Sequence, residues 1–172
     1  MMTAEITTPA AAESAERLEK LRELIEKIPV CMVATTGADG SIHSRPMAYL
    51  HMEPDGELVF FTRAASTKTL EVRRNRQVNV SFGDPANNVY ASVSGRALIV
   101  NDRDRIAELF TPIMKQWFAD GASDPTLRLF LVEPNSAEYW NGPSGLSFFI
   151  AMTKSLLTGD QPDLGEHEFF EL

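Results

Sequence analysis

Apolar residues recur along this chain with two periods, one helical and one alternating. Leu18, Leu21, Leu24, Ile25 and Ile28 follow Ser14 at helical spacing and Pro29 closes the run, which predicts a short amphipathic helix. Residues 1–13, rich in Ala, Thr and Pro, read as a loose tail ahead of a single domain over 14–172. The runs "VCMVATT", "SIHSRPMAYL" and "ELVFFTR" favour strands. They are separated by "GADG" and "EPDG", each with the Asp-Gly pair of a hairpin turn, so three antiparallel strands in meander order are expected.

A helix is predicted over Thr67 to Arg74, then a strand "QVNVSF", a loop "GDPANN" and a long strand "VYASVSGRALIV" in which Gly95 marks a bend or bulge. "NDRDRIAELFTPIMKQWF" reads as one helix, capped by Asn101 or Asp102, with Ile106, Leu109, Phe110, Ile113, Met114 and Trp117 as a core-facing stripe. "LRLFLVEP" and "SAEYW" read as two more strands, and "LSFFIAMTKSLLTG" as a segment whose length favours helix over strand. The fold class is therefore mainly β with helices, a six-stranded antiparallel barrel, closed or nearly so. No βαβ alternation suggests a parallel sheet.

Composition narrows the function. With 172 residues, 44% of them hydrophobic, the chain can build a conventional core without disulfides or metal. Sixteen basic and twenty-four acidic side chains leave a net charge of −8, which disfavours nucleic acid and anionic membrane surfaces as partners. The same charge argues against an oligonucleotide-binding barrel. Cys31, the single cysteine, lies in an apolar run and reads as a small buried hydrophobe. The N-terminal stretch has no basic leader with an apolar segment behind it, and no apolar run approaches the roughly 20 residues of a membrane span. A soluble cytoplasmic protein is expected.

Against that acidic background, "RAASTKTLEV" is locally basic and rich in hydroxyls. With Ser66 as N-cap, a helix start would present unpaired N–H groups and the positive end of its dipole, flanked by Thr67 and the cation of Lys68. This suits a phosphate, and equally an ordinary cap beside a solvated lysine. The neighbouring strand favours the first reading. In "IHSRPMAYL" the period of two sets His43, Arg45, Met47 and Tyr49 on one face, with a guanidinium in mid-strand, and Pro46 cannot donate to the ladder.

At this point "SRPMAYL", "LVFFTRAASTKTLEVRRN", "VNVSF", "VSGRALIVND" and "EYW", in that order, resemble the flavin-binding split-barrel proteins related to pyridoxamine 5′-phosphate oxidase, and in particular the general stress protein 26 subgroup. The resemblance spans roughly Ile25 to Asn141. It implies FMN, or FAD on the same cradle, bound at the interface of a two-fold homodimer. Arg45, Lys68 and Ser66 would then hold the phosphate, with a further contact from Thr67. Pro46 and Met47 would line the isoalloxazine edge, Phe61 and Thr62 would offer backbone groups to its pyrimidine side, and Trp140 would reach the ring from the partner subunit. Met47 and Phe61 also read as plain core, Trp140 as a cap on the barrel, and Arg63 as a solvated cation.

The resemblance does not extend to the substrate. No arginine follows Arg128 and the chain ends "PDLGEHEFFEL", so the arginine- and histidine-bearing motif of the true oxidases is missing or unrecognisable and turnover of pyridoxamine phosphate is not expected. His43, His51 and His167 lack zinc-ligand spacing. Three functions fit: a redox protein or oxidoreductase of the stress response, passing electrons from a reduced nicotinamide or deazaflavin to a small acceptor; a flavin store or sensor without turnover; and a haem-binding split barrel with His43 as axial ligand.

Overall fold

A computed structural model describes residues 9–143, 154–155 and 165–172. Helix α1 (Pro9–Ile25) is followed by strands β1 (Val30–Thr36), β2 (Ile42–Met52) and β3 (Leu58–Arg63), helix α2 (Thr67–Arg74), and strands β4 (Gln77–Asp84) and β5 (Val89–Val100). Helix α3 (Arg103–Leu109), two 3₁₀ turns (Pro112–Gln116 and Gly121–Ser123), and strands β6 (Leu127–Asn141) and β7 (Glu166–Glu171) complete the chain.

The two hairpin loops share one construction. Gly40 and Gly56 take φ of +84° and +95°, and the Gly37 and Glu53 amides donate to the Ser41 and Glu57 carbonyls. A side chain disfavours that left-handed conformation, so the Asp-Gly pairs act as turn signals in loops longer than the two-residue turn.

All strand pairs are antiparallel, in the order β3-β2-β1-β4-β5-β6, and β3 pairs back onto β6 to close a six-stranded barrel. Strand β6 serves three neighbours: β5 along its length, β3 through Leu127–Val132 and β7 through Ser136–Asn141. "LRLFLVEP" and "SAEYW", expected as two strands, are thus one strand bent at a bulge, where Ser94 faces Ser136 but Gly95 faces Pro134. A Cβ on Gly95 would meet the Glu133 carbonyl oxygen at 2.3 Å, so only glycine fits there.

Inward-facing Val33, Phe60, Val80, Val93 and Phe130 fill the barrel, and Leu21 and Ile25 of α1 are buried in the same cluster. Helix α1 begins at Pro9 rather than Ser14, because "PAAAES" is itself a good first turn for a helix, with proline tolerated at its first position. A second cluster lies on the outer face of β3 and β6, where Val59, Leu127, Leu129 and Leu131 are covered by Ile106 and Phe118.

The covering segment differs from the single helix expected. Helix α3, capped at 3.0 Å by Asp102 accepting from the Arg105 amide, ends at Leu109, and a separate 3₁₀ turn starts at Pro112. The residue before a proline is pushed to extended backbone, and Thr111 has φ −108°, ψ 155°. The break turns the stripe. Ile106 stays buried, but Ile113 and Trp117 are 62% and 53% exposed. Apart from the helical pair Lys154–Ser155, the segment "LSFFIAMTKSLLTG" lies outside the described residues. Strand β7 was not anticipated.

Candidate functional site

Beneath the Pro112–Gln116 turn lies a cavity of about 400 Å³ against β2 and β3. Strand β2 contributes Pro46, Met47, Ala48 and Leu50, and its register shifts between Tyr49 and His51, which loosens the ladder beside the cavity. Phe61, Thr62 and Arg63 come from β3, Ser66 and Lys68 from the start of α2, and Ile113, Met114, Trp117 and Phe118 from the turn. One wall is thus apolar and the opposite end is cationic and rich in hydroxyls.

The period-of-two reading of β2 holds: Met47 and Tyr49 are buried in the barrel, whereas Pro46 and Ala48 face out. With its side chain in the core, Met47 offers the cavity chiefly its main chain. Phe61 packs at 6.0 and 6.2 Å from the rings of Phe110 and Phe118 in the outer cluster while still facing the cavity.

Ser66 takes the N-cap position of α2, with φ −71° and ψ 151°, yet makes no side-chain cap bond. Its hydroxyl lies instead 3.1 Å from Thr62 Oγ1 and 2.9 Å from Thr69 Oγ1, and Thr69 donates to the Arg63 carbonyl at 2.9 Å. Because a carbonyl only accepts, the proton order runs from Thr62 through Ser66 to Thr69. The amides of the first turn of α2 are thereby left without a side-chain acceptor, which is how a helix start presents itself to an anion.

Lys68 is half-buried beside this helix start and, among the described residues, no ion pair involves it. Burial, and then the charges of Arg45 and Arg63, hold its ammonium below the usual lysine range. A cation in this situation lacks an anion.

Arg45 does not line the cavity. Its Nη2 donates to Glu71 Oε2 at 3.0 Å, and its Nη1 donates to Thr35 Oγ1 and, at 3.2 Å, to the Val33 carbonyl. The buried Glu71 carboxylate also accepts from Thr35 and faces His43 Nδ1 at 2.6 Å, while His43 Nε2 lies 3.1 Å from Ser41 Oγ. Desolvation opposes the charge on Glu71, but the hydrogen bonds from Thr35 and His43 and the charge of Arg45 outweigh it, so its pKa is lowered.

Thr67, exposed at the first position of α2, and Trp140 are also away from the cavity. Trp140 lies near the other end of β6, stacked on His167 with ring centroids 5.1 Å apart and planes 11° apart. Within one chain, therefore, Pro46, Met47, Phe61, Thr62, Ser66 and Lys68 converge, and Arg45, Thr67 and Trp140 do not.

Two features escaped the sequence reading. Glu71 pairs with residues 26 and 36 positions away, and no local pattern announces that. The aromatic wall at Trp117 had a signal, Pro112 inside an assumed helix.

Residues 16–163 match the sequence profile of the family described as pyridoxamine 5′-phosphate oxidase like. The chain belongs to that family. Protein bli-3 of Neurospora crassa is 33% identical over 117 residues, which covers 63% of this chain and 56% of bli-3, so the match spans little more than half of that relative. Among solved structures, general stress protein 26 from Jannaschia sp. CCS1 superposes with a TM-score of 0.76 at 22% identity, covering 92% of this chain and 99% of that one. The general stress FMN/FAD binding protein of Xanthomonas citri gives a TM-score of 0.65 at 28% identity, over 76% and 92%. This chain thus has the split-barrel fold of those structures. Among the described residues no helix is long and apolar enough to cross a membrane, and no group of three or more His, Cys, Asp or Glu side chains could hold a metal ion.

Proposed function

We propose that this protein binds a flavin, FMN or FAD, in the cavity between β2, β3, α2 and the Pro112–Gln116 turn, and uses it in redox chemistry. The observation that carries the reading is the half-buried Lys68, without an ion pair among the described residues, at a start of α2 that has no side-chain cap bond, lining a largely apolar cavity. A phosphate suits the helix start and Lys68, and the tricyclic ring suits the surface of Pro46, Ala48 and Leu50. The Xanthomonas citri relative, described as FMN/FAD binding, supports the same ligand class. Bound there, a flavin supplies electron transfer; the chain supplies position and charge. Arg45 joins the site as a neighbouring charge, and Thr67 through its backbone amide. The haem alternative finds little support, because His43 is engaged by Glu71 and Ser41 and does not line the cavity.

The working unit in this reading is a homodimer with flavin at the interface. The outward face of the sheet carries a continuous row, Pro46, Met32, Ser81, Ser92, Glu138 and Phe169, each paired to the next across adjacent strands. Val30, Met32 and Ile42 stand exposed on this face, and Pro46 belongs both to it and to the cavity. A second copy packed isologously on such a face would close the cavity and could bring its own Trp140 to it.

The test is an absorption spectrum of the purified protein, with chromatography of the small molecule released on denaturation. Flavin bands and released FMN or FAD are expected. A colourless protein that takes up neither added FMN nor added FAD refutes the reading, and a Soret band transfers it to haem.

A further inference from the structure

The cavity is lined by a second cation, Arg63, besides Lys68. Arg63 lies beside Lys68, close enough for each charge to disfavour the other, and its Nη2 donates to the main-chain carbonyl of Trp117. Its guanidinium also lies 5.4 Å above the ring of Phe118. Among the described residues no carboxylate pairs with Arg63. Asp124, which feels its charge, hydrogen-bonds to the amide and hydroxyl of Thr126, both at 2.7 Å. Trp117 is therefore held by its main chain next to Arg63 in the cavity lining, and the residue is more than half exposed.

FMN carries one phosphate, for which the start of α2 and Lys68 suffice, so Arg63 and the exposed Trp117 bonded to it are left for a further group. A second phosphate carrying a base meets both Arg63 and Trp117. Resting on the flavin reading above, we propose that Arg63 and Trp117 form a subsite for an adenosine diphosphate arm, and that this arm belongs to FAD. Arg63 then faces the distal phosphate, and Trp117, with Ile113 beside it, gives adenine a stacking surface in place of water. A reduced nicotinamide dinucleotide carries the same arm and is the competing source.

Dissociation constants of riboflavin, FMN and FAD for the full chain, its Trp117→Ala, Trp117→Phe and Arg63→Met variants test this directly. FAD is expected to bind about tenfold tighter than FMN, the worth of one stacked base. Trp117→Ala should weaken FAD more than FMN and bring the two ligands level, Trp117→Phe should keep most of the preference, and Arg63→Met should likewise weaken FAD more than FMN. FAD no tighter than FMN, or equal losses for both on Trp117→Ala, overturns the subsite and leaves the flavin site standing.

NADH titrated into FMN-loaded protein is the second arm. Trp117-dependent NADH binding with no FAD preference overturns the assignment to FAD and gives the subsite to a nicotinamide donor. If no flavin binds at all, the flavin reading and the assignment to FAD fall together, and ADP decides the subsite by itself: binding that Trp117→Ala abolishes keeps an adenosine diphosphate subsite, and no binding ends it.

Discussion

Glu71 Oε2 accepts a hydrogen bond from Arg45 Nη2 at 3.0 Å, tying helix α2 to the middle of strand β2. Thr35 and His43 bind the same carboxylate, so one buried acid gathers β1, β2 and α2. Removing one partner of such a pair leaves a charge without compensation. Glu71→Gln should cost about 3 kcal/mol, near the low end for buried pairs because Arg45 keeps some contact with water. Urea unfolding measures it, and a loss below about 1 kcal/mol would mean that the network is solvated in solution.

The same carboxylate predicts an acid response. Its pKa is depressed in the folded state, so the unfolded state binds the proton first as pH falls. The stabilisation from Glu71 should be fully present above its ordinary pKa of 4.5 and be lost as pH drops through the lowered folded value. Thermal melts of wild type and Glu71→Gln between pH 7 and pH 3 should converge. Parallel curves would assign the acid lability to other carboxylates.

Lys68 should show the opposite balance. Its folded pKa is lowered, so its charge opposes folding at neutral pH, and stability should rise as pH climbs from the lowered pKa towards 10.5. Lys68→Met should therefore raise the melting temperature of the flavin-free protein. It should also weaken FMN by about 1.5–3 kcal/mol, the worth of a charged hydrogen bond, while leaving riboflavin nearly unchanged. Equal losses for the two ligands would remove Lys68 from the phosphate.

Cys31 is buried, with its sulfur 3.7 Å from the Met47 carbonyl oxygen, and burial pushes its thiol up to about 12. The thiolate is the reactive form, so native protein should resist a disulfide exchange reagent until denaturant is added. Stoichiometric labelling of the folded protein within minutes would contradict this placement.

At the β5–β6 bulge, Gly95→Ala sets a methyl group against the Glu133 carbonyl. Backbone cannot move aside as a side-chain tip can, so a loss of about 1–3 kcal/mol is expected. An unchanged unfolding midpoint would show that the bulge relaxes.

Much of the barrel was legible because its rules are local. Alternation in "IHSRPMAYL", Asp-Gly in both hairpins and Gly95 in the long strand each act within a few residues of themselves, and β2, both loops and the bulge follow them. The start of α2 was legible for the same reason: residue order alone sets Ser66 and Lys68 at a helix N-terminus.

Partner choice is not local. Arg45 and Lys68 looked alike as cations near one anion, and only the folded chain put Glu71 beside Arg45 and, among the described residues, left Lys68 without an acid. Trp117 looked like core in a helical stripe, and Pro112 turned it out to the cavity wall. The sequence by itself determined strands β1 to β5, the two hairpin turns and the cationic helix start, since steric and hydrogen-bonding preferences of neighbouring residues decide these. The tertiary structure alone decided which charges neutralise one another and which remain for a ligand, because Coulomb and desolvation energies depend on distances that periodicity does not contain.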